Sequence, residues 1–192
     1  MISGGDGGAN TNASGKPFEQ CVLMNHDQNK GYLIGDKKFR FFKQGAFTRH
    51  MADLKNAYWK HDKQPDGAYV SEDRNTVFII ECKHQIVSGT ADEKLRCGPC
   101  LLEEYKQLYP SVKNIHMMFI VNDWWFRKRK YEIPIKFNEK HGIPVFLAKH
   151  GDKMWKFHIN KKINKWTLYP ALYTVDEKRI NDWMTQQLLQ SL

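Results

Sequence analysis

Apolar residues recur along this chain in two rhythms, and each change of rhythm marks an element. Phe47, Met51, Leu54 and Tyr58 fall at helical spacing, which predicts an amphipathic helix over residues 47–60. Ala68-Tyr69-Val70 reads as a short strand and Ser71-Glu72-Asp73-Arg74-Asn75 as a turn. Residues 76–83 form the strongest strand, apolar on both faces before Glu81, as expected of a central strand covered on two sides. A loop through Ser88-Gly89-Thr90 leads to a helix carrying Leu101, Leu102, Tyr105 and Leu108. That helix starts near Asp92, or near Pro99 if the proline takes the first helical position. Ile115–Val121 reads as another buried strand, and Ile143–Leu147 is a further apolar run. Thr174-Val175-Asp176-Glu177 fits a capping box opening a final helix, with Ile180, Trp183, Met184 and Leu188 inside.

Upstream of these elements the pattern weakens. Residues 18–47 are irregular and aromatic-rich, with Lys37, Lys38, Arg40 and Lys43 interleaved, and have room for one or two short strands. Residues 1–16 are small and polar and read as a flexible tail, leaving 17–192 as one domain. The order helix, strand, strand, helix, strand predicts an α/β (α+β) fold, a mixed central β-sheet flanked by helices.

Composition narrows the partners. The 192 residues suit one domain with a real core, and 41% hydrophobic residues indicate a folded chain. A net charge of +9 calls for a polyanion, either nucleic acid or an anionic membrane surface. No apolar run approaches the roughly 20 residues that span a bilayer, and no secretory signal is visible. Four cysteines (Cys21, Cys82, Cys97, Cys100) without such a signal are expected to stay reduced in a cytoplasmic protein.

The candidate chemistry lies on the turn before the first of these strands and at the end of the second. Pro65-Asp66-Gly67 carries one carboxylate on a turn, and Glu81 and Lys83 share one face at the end of the apolar strand, with Cys82 on the other. Two carboxylates and an ammonium at one strand end suit a divalent metal, a water nucleophile and a phosphodiester. Asp and Glu oxygens are ligands for Mg²⁺, and a neighbouring lysine can orient or deprotonate the water and offset transition-state charge. The Cys82 backbone carbonyl is a further possible ligand.

Pro65-Asp66 followed by Glu81-Cys82-Lys83 at the end of an apolar strand resembles the PD-(D/E)XK nuclease superfamily. With His84 and Gln85, the text is similar to type II restriction endonucleases. The resemblance covers residues 47–121. It implies a restriction-endonuclease-like fold, Asp66 and Glu81 as metal ligands, and Lys83 as the catalytic lysine. Further implications are Mg²⁺ as cofactor with Mn²⁺ able to substitute, double-stranded DNA as substrate, 5′-phosphate and 3′-hydroxyl products, and a homodimer. Gln85 resembles a glutamine frequent at that place, and Gly89–Leu95 looks like a segment of some restriction enzymes. An acidic residue on a preceding helix is also implied, with Asp53 and Glu19 as candidates.

The predicted DNA contacts are His84, Gln85, Lys94 and Arg96, with the basic run Arg127, Lys128, Arg129 and Lys130 after Trp124-Trp125-Phe126. Lys153 to Trp166 repeats the basic and aromatic theme, and aromatics in such runs either pack inside or stack on unpaired bases. His116, in an apolar run, reads as a core histidine. A rival is Cys97-Gly98-Pro99-Cys100, the redox motif of thioredoxins, with Gly142-Ile143-Pro144 downstream resembling their cis-proline segment. The residues before Cys97 are polar and helix-favouring, whereas that chemistry needs a preceding hydrophobic strand. The alternatives to a restriction enzyme are therefore a structure-specific repair or junction-resolving nuclease, a thiol-disulfide oxidoreductase, and a non-catalytic DNA-binding module.

Overall fold

The architecture follows from the strand over residues 76–83, whose two apolar faces require cover on both sides. The structure, a computed structural model, describes residues 18–23, 26–27, 30–85, 91–150, 157–160, 165–168 and 173–191, with only the backbone of 91–92, 150, 157–160 and 165–168. The predicted tail, 1–16, lies outside the described residues, as does most of the basic and aromatic segment from Lys153 to Trp166.

Seven strands form one mixed sheet in the order β1-β2-β3-β4-β5-β6-β9. These are β1 (Gly31–Ile34), β2 (Lys37–Phe42), β3 (Gly67–Ser71), β4 (Thr76–Lys83), β5 (Asn114–Asn122), β6 (Val145–His150) and β9 (Tyr173–Val175). Strands β1 to β4 run antiparallel. Strands β4, β5 and β6 are parallel, and β9 closes the edge antiparallel to β6. A separate hairpin pairs β7 (Phe157–Asn160) with β8 (Lys165–Leu168).

Helices lie on both faces. One face packs α2 (Gln44–His50), α4 (Gly98–Leu108) and α5 (Glu132–Lys140) over a core that includes Val77, Ile79, Met117 and Phe119. α3 (Ala91–Arg96) adds Leu95 to that core. The other face packs helical residues 18–22 (α1) and α6 (Glu177–Gln190) over Phe78, Ile80, Cys82, Met118 and Ile120. The predicted mixed sheet flanked by helices is the observed fold. Among the described residues, no helix is long and apolar enough to cross a membrane.

Three local expectations change. The helix predicted over 47–60 ends at His50 and is followed by a 3₁₀ turn, Ala52–Leu54. Beyond that turn Asn56 holds the chain off a helical path: its side chain accepts from the Tyr58 amide (3.0 Å), and its own amide donates to the Leu108 carbonyl (2.8 Å). Tyr58 is consequently exposed rather than on a buried face. The two starts considered for the next helix both occur, because α3 and α4 are separate helices broken at Cys97, with Pro99 in the first turn of α4. At the last helix the cap is Asp176, accepting from the Arg179 amide at 3.0 Å. Thr174 instead belongs to β9, paired with Lys149.

Candidate active site

The β3–β4 hairpin brings Asp66 alongside the end of β4. Gly67 pairs with Ile80, which sets Asp66 beside Glu81. A Cβ at Gly67 would lie 2.8 Å from the Phe41 ring, so this close approach requires glycine. The Pro65 carbonyl accepts from the Gln44 amide (3.1 Å), tying the loop before Asp66 to the start of α2.

The ammonium of Lys83 sits among three oxygens: Glu81 Oε2 at 2.7 Å, Cys82 O at 3.0 Å and Asp66 Oδ2 at 3.1 Å. The Cys82 amide donates to the same Asp66 Oδ2 at 2.7 Å. Side-chain exposure is only 11% for Lys83 and 13% for Glu81. Burial disfavours the Lys83 charge, but Glu81 and Asp66 outweigh it and raise the pKa above the ordinary lysine value. Lys83 is therefore a held cation.

Two supports come from elements beyond the hairpin. Tyr105, buried on α4, donates its hydroxyl to Glu81 Oε1 at 3.3 Å. Its pKa is raised by burial and then by Glu81 and Asp66, so it remains a donor. Trp125 donates its indole N–H to the Lys83 carbonyl at 3.2 Å. Sequence reading placed Tyr105 only in the helix core, and Trp125 only in an aromatic run. Each contact joins residues far apart in the chain, and no local spacing signals it.

Of the two candidates for a further acid, Glu19 is the one near the site. Burial first, then the charge of Asp66, raises its pKa, and Gln44 donates to it at 3.0 Å. Asp53 instead pairs with Arg74, beside the β3–β4 turn, at 2.7 Å.

The predicted DNA contacts divide by exposure. Gln85 is buried, its backbone exchanging hydrogen bonds with the Asn122 side chain at 3.0 and 2.8 Å. His84 is half-buried, 3.2 Å from the Tyr173 hydroxyl and packed on Phe18, and burial lowers its pKa. Lys94, Arg96, Arg127, Lys128, Arg129 and Lys130 are exposed. Lys94 and Arg96 precede α4, and the 127–130 run follows β5, so both groups follow the strand ends that carry Glu81, Lys83 and Asn122.

Cys97 and Cys100 are exposed free thiols. The element before Cys97 is α3, not a strand.

Whether these residues suit a metal can be tested on their donors. Among the described residues, no three His, Cys, Asp or Glu side chains form a metal-binding group. The donors that do converge are two carboxylates and a backbone carbonyl, gathered about one cationic point. Hard oxygens, few in number, fit Mg²⁺, which keeps several waters rather than filling an all-protein cage.

A family model described as a PD-(D/E)XK nuclease superfamily domain matches residues 10–117. Neither the curated proteins nor the solved structures offer a match.

Proposed function

Because the chain belongs to the PD-(D/E)XK nuclease superfamily, we propose that it is a Mg²⁺-dependent endonuclease of the type II restriction kind, hydrolysing phosphodiester bonds in double-stranded DNA. The observation that carries this reading is the Lys83 ammonium held by Asp66, Glu81 and the Cys82 carbonyl in a chain of charge +9.

Asp66, Glu81 and the Cys82 carbonyl would hold the cation, and Mn²⁺ presents the same preference for oxygen ligands. When bound, the cation supplies Lewis acidity toward water and the phosphate. Lys83, kept protonated, acts as a donor: it orients the attacking water and offsets charge building on the phosphate oxygens. Tyr105 holds one Glu81 oxygen so that the other faces the reacting centre. The Cys82 amide does the same for Asp66. Glu19 adds negative charge near Asp66, where it raises the local attraction for a cation. The exposed basic residues neutralise DNA phosphates. A homodimer with twofold symmetry would present one centre to each strand.

The test is incubation of supercoiled and linear DNA with Mg²⁺, repeated with Glu81→Ala and Lys83→Ala. Discrete fragments that vanish in both variants are the expected result. Cleavage surviving both substitutions would overturn the assignment.

A further inference from the structure

The segment that leaves β5 holds an aromatic side chain that the fold does not use. Asp123–Trp125 forms a 3₁₀ turn at the catalytic end of the sheet. Trp125 is fully buried and bonded to the Lys83 carbonyl. Trp124, Trp125 and Tyr131 pack with ring centroids 4.9 to 5.5 Å apart. Phe126, the next residue, is 46% exposed. Its backbone is nonetheless fixed, with its amide on the Asp123 carbonyl at 3.1 Å and the Arg127 amide on the same oxygen at 3.2 Å. Four exposed cations, Arg127 to Lys130, follow immediately.

Three facts combine. The Phe126 backbone is held in a turn, so placing its ring against a partner costs little further ordering. The residue before it touches the proposed catalytic strand, and consecutive Cα atoms are only about 3.8 Å apart. The charge beside it selects a polyanion. A flat apolar face among cations is what a base requires, since every base has a π-face and every nucleotide a phosphate.

We infer that Phe126 stacks on an unpaired or unstacked base of the bound nucleic acid, beside the scissile phosphate, while Arg127 to Lys130 hold the flanking backbone. This rests on the nuclease reading and sharpens it within double-stranded DNA: Phe126 wedges one base out of the stack near the cut, and a duplex in which that base is already unpaired spares the cost of opening it.

The experiment measures binding by the full chain in EDTA, so that no cleavage contributes. The probes are two duplexes of one sequence, one fully paired and one with a single unpaired 2-aminopurine. Wild type is expected to bind the second more tightly, by roughly 5- to 150-fold, the range that stacking on one base supports. The 2-aminopurine emission is expected to fall on binding. Phe126→Ala should abolish both effects, and Phe126→Trp should restore them. The exposed position makes loss of fold in these variants a poor explanation, and unchanged circular dichroism would confirm it. Equal affinity of wild type for the two duplexes, or a preference that persists in Phe126→Ala, would overturn the inference. Failure of the nuclease reading would appear elsewhere, as no cleavage by wild type in Mg²⁺, or as cleavage that survives both Glu81→Ala and Lys83→Ala.

Discussion

The two faces of the central sheet treat ionisable groups in opposite ways. On one face, Lys83 lies beside Ile79 at the rim of a core, and the Glu81 and Asp66 carboxylates within 3.1 Å of its ammonium favour its charge. On the other face, Cys82 and His116 lie among Phe78, Ile80 and Trp183, with no such partner among the described residues. Burial raises the Cys82 thiol well above its usual range. It pushes His116 down to about 4, with Lys106 adding to the effect. Burial alone neutralises a group, and burial with a partner preserves a charge. The same strand, β4, therefore carries an ion-paired face, the proposed reactive one, and an apolar face.

The sharpest way to break this contrast is to remove the cation. Lys83→Met leaves two half-buried carboxylates facing one another. Cleavage should fall by roughly 10²- to 10³-fold, the scale for losing one preorganised donor. Stability should fall by about 3 kcal/mol, because breaking a buried pair strands the remaining charge. Added Mg²⁺ should recover part of that loss by mass action, visible as a rise in Tm larger than in wild type. A variant as stable as wild type in EDTA would show that the three charges are not interdependent.

The inert face gives the next effect, through pH. The unfolded chain protonates His116 near pH 6.5, whereas the folded ring, with Nε2 buried and unbonded, resists until about 4. The contribution of the neutral ring is fully present above pH 6.5 and is lost as pH falls from 6.5 toward 4. That shift corresponds to at most about 3 kcal/mol. His26, His50 and His84 are also lowered by burial and act in the same direction. His116→Phe should flatten the acid limb in urea titrations at pH 4.5 and pH 7. An unchanged slope would place the acid sensitivity elsewhere.

What could be read in advance follows the range of the interactions. The β4 strand, its two buried faces and the Asp66, Glu81, Lys83 grouping rest on alternation and on a hairpin, both local in sequence. Tyr105 on Glu81 and Trp125 on Lys83 are visible only once α4 and β5 have packed on β4. The helical spacing through Tyr58 misleads for a similar reason, because the Asn56 amide is bonded to the Leu108 carbonyl at the end of α4. The exposure of Phe126 beside the half-buried Trp124 and the buried Trp125 has no signature in a run of three aromatics. Charge was the other legible quantity, since the exposed cations at 127–130 need no packing to be polar.

Cys82 offers a smaller test, because it takes part in both faces. Its backbone serves the charged one, the amide binding Asp66 and the carbonyl meeting Lys83. Its side chain serves the apolar one. Cys82→Ser keeps the backbone and puts a hydroxyl into the core, which should destabilise the protein by about 1–2 kcal/mol. Cleavage below the melting transition should be unchanged. A large loss of activity with intact stability would mean that the thiol itself contributes to the reaction.

The finest distinction concerns how the reactive face is held. Tyr105→Phe removes one hydroxyl and no packing, and leaves Glu81 Oε1 without its 3.3 Å donor. A hydrogen bond of that length is worth about 1 kcal/mol, which is roughly fivefold in an equilibrium constant. If Tyr105 positions Glu81, calorimetric Mg²⁺ affinity should weaken by about that factor, while Tm and DNA binding in EDTA stay near wild type. Tyr105→Ala would not make this distinction, since emptying a fully buried aromatic site costs about 3–5 kcal/mol by itself. A Phe variant with wild-type Mg²⁺ affinity would leave Lys83 as the group that orients Glu81, and the ordering of the reactive face would then reside in the β3–β4 hairpin.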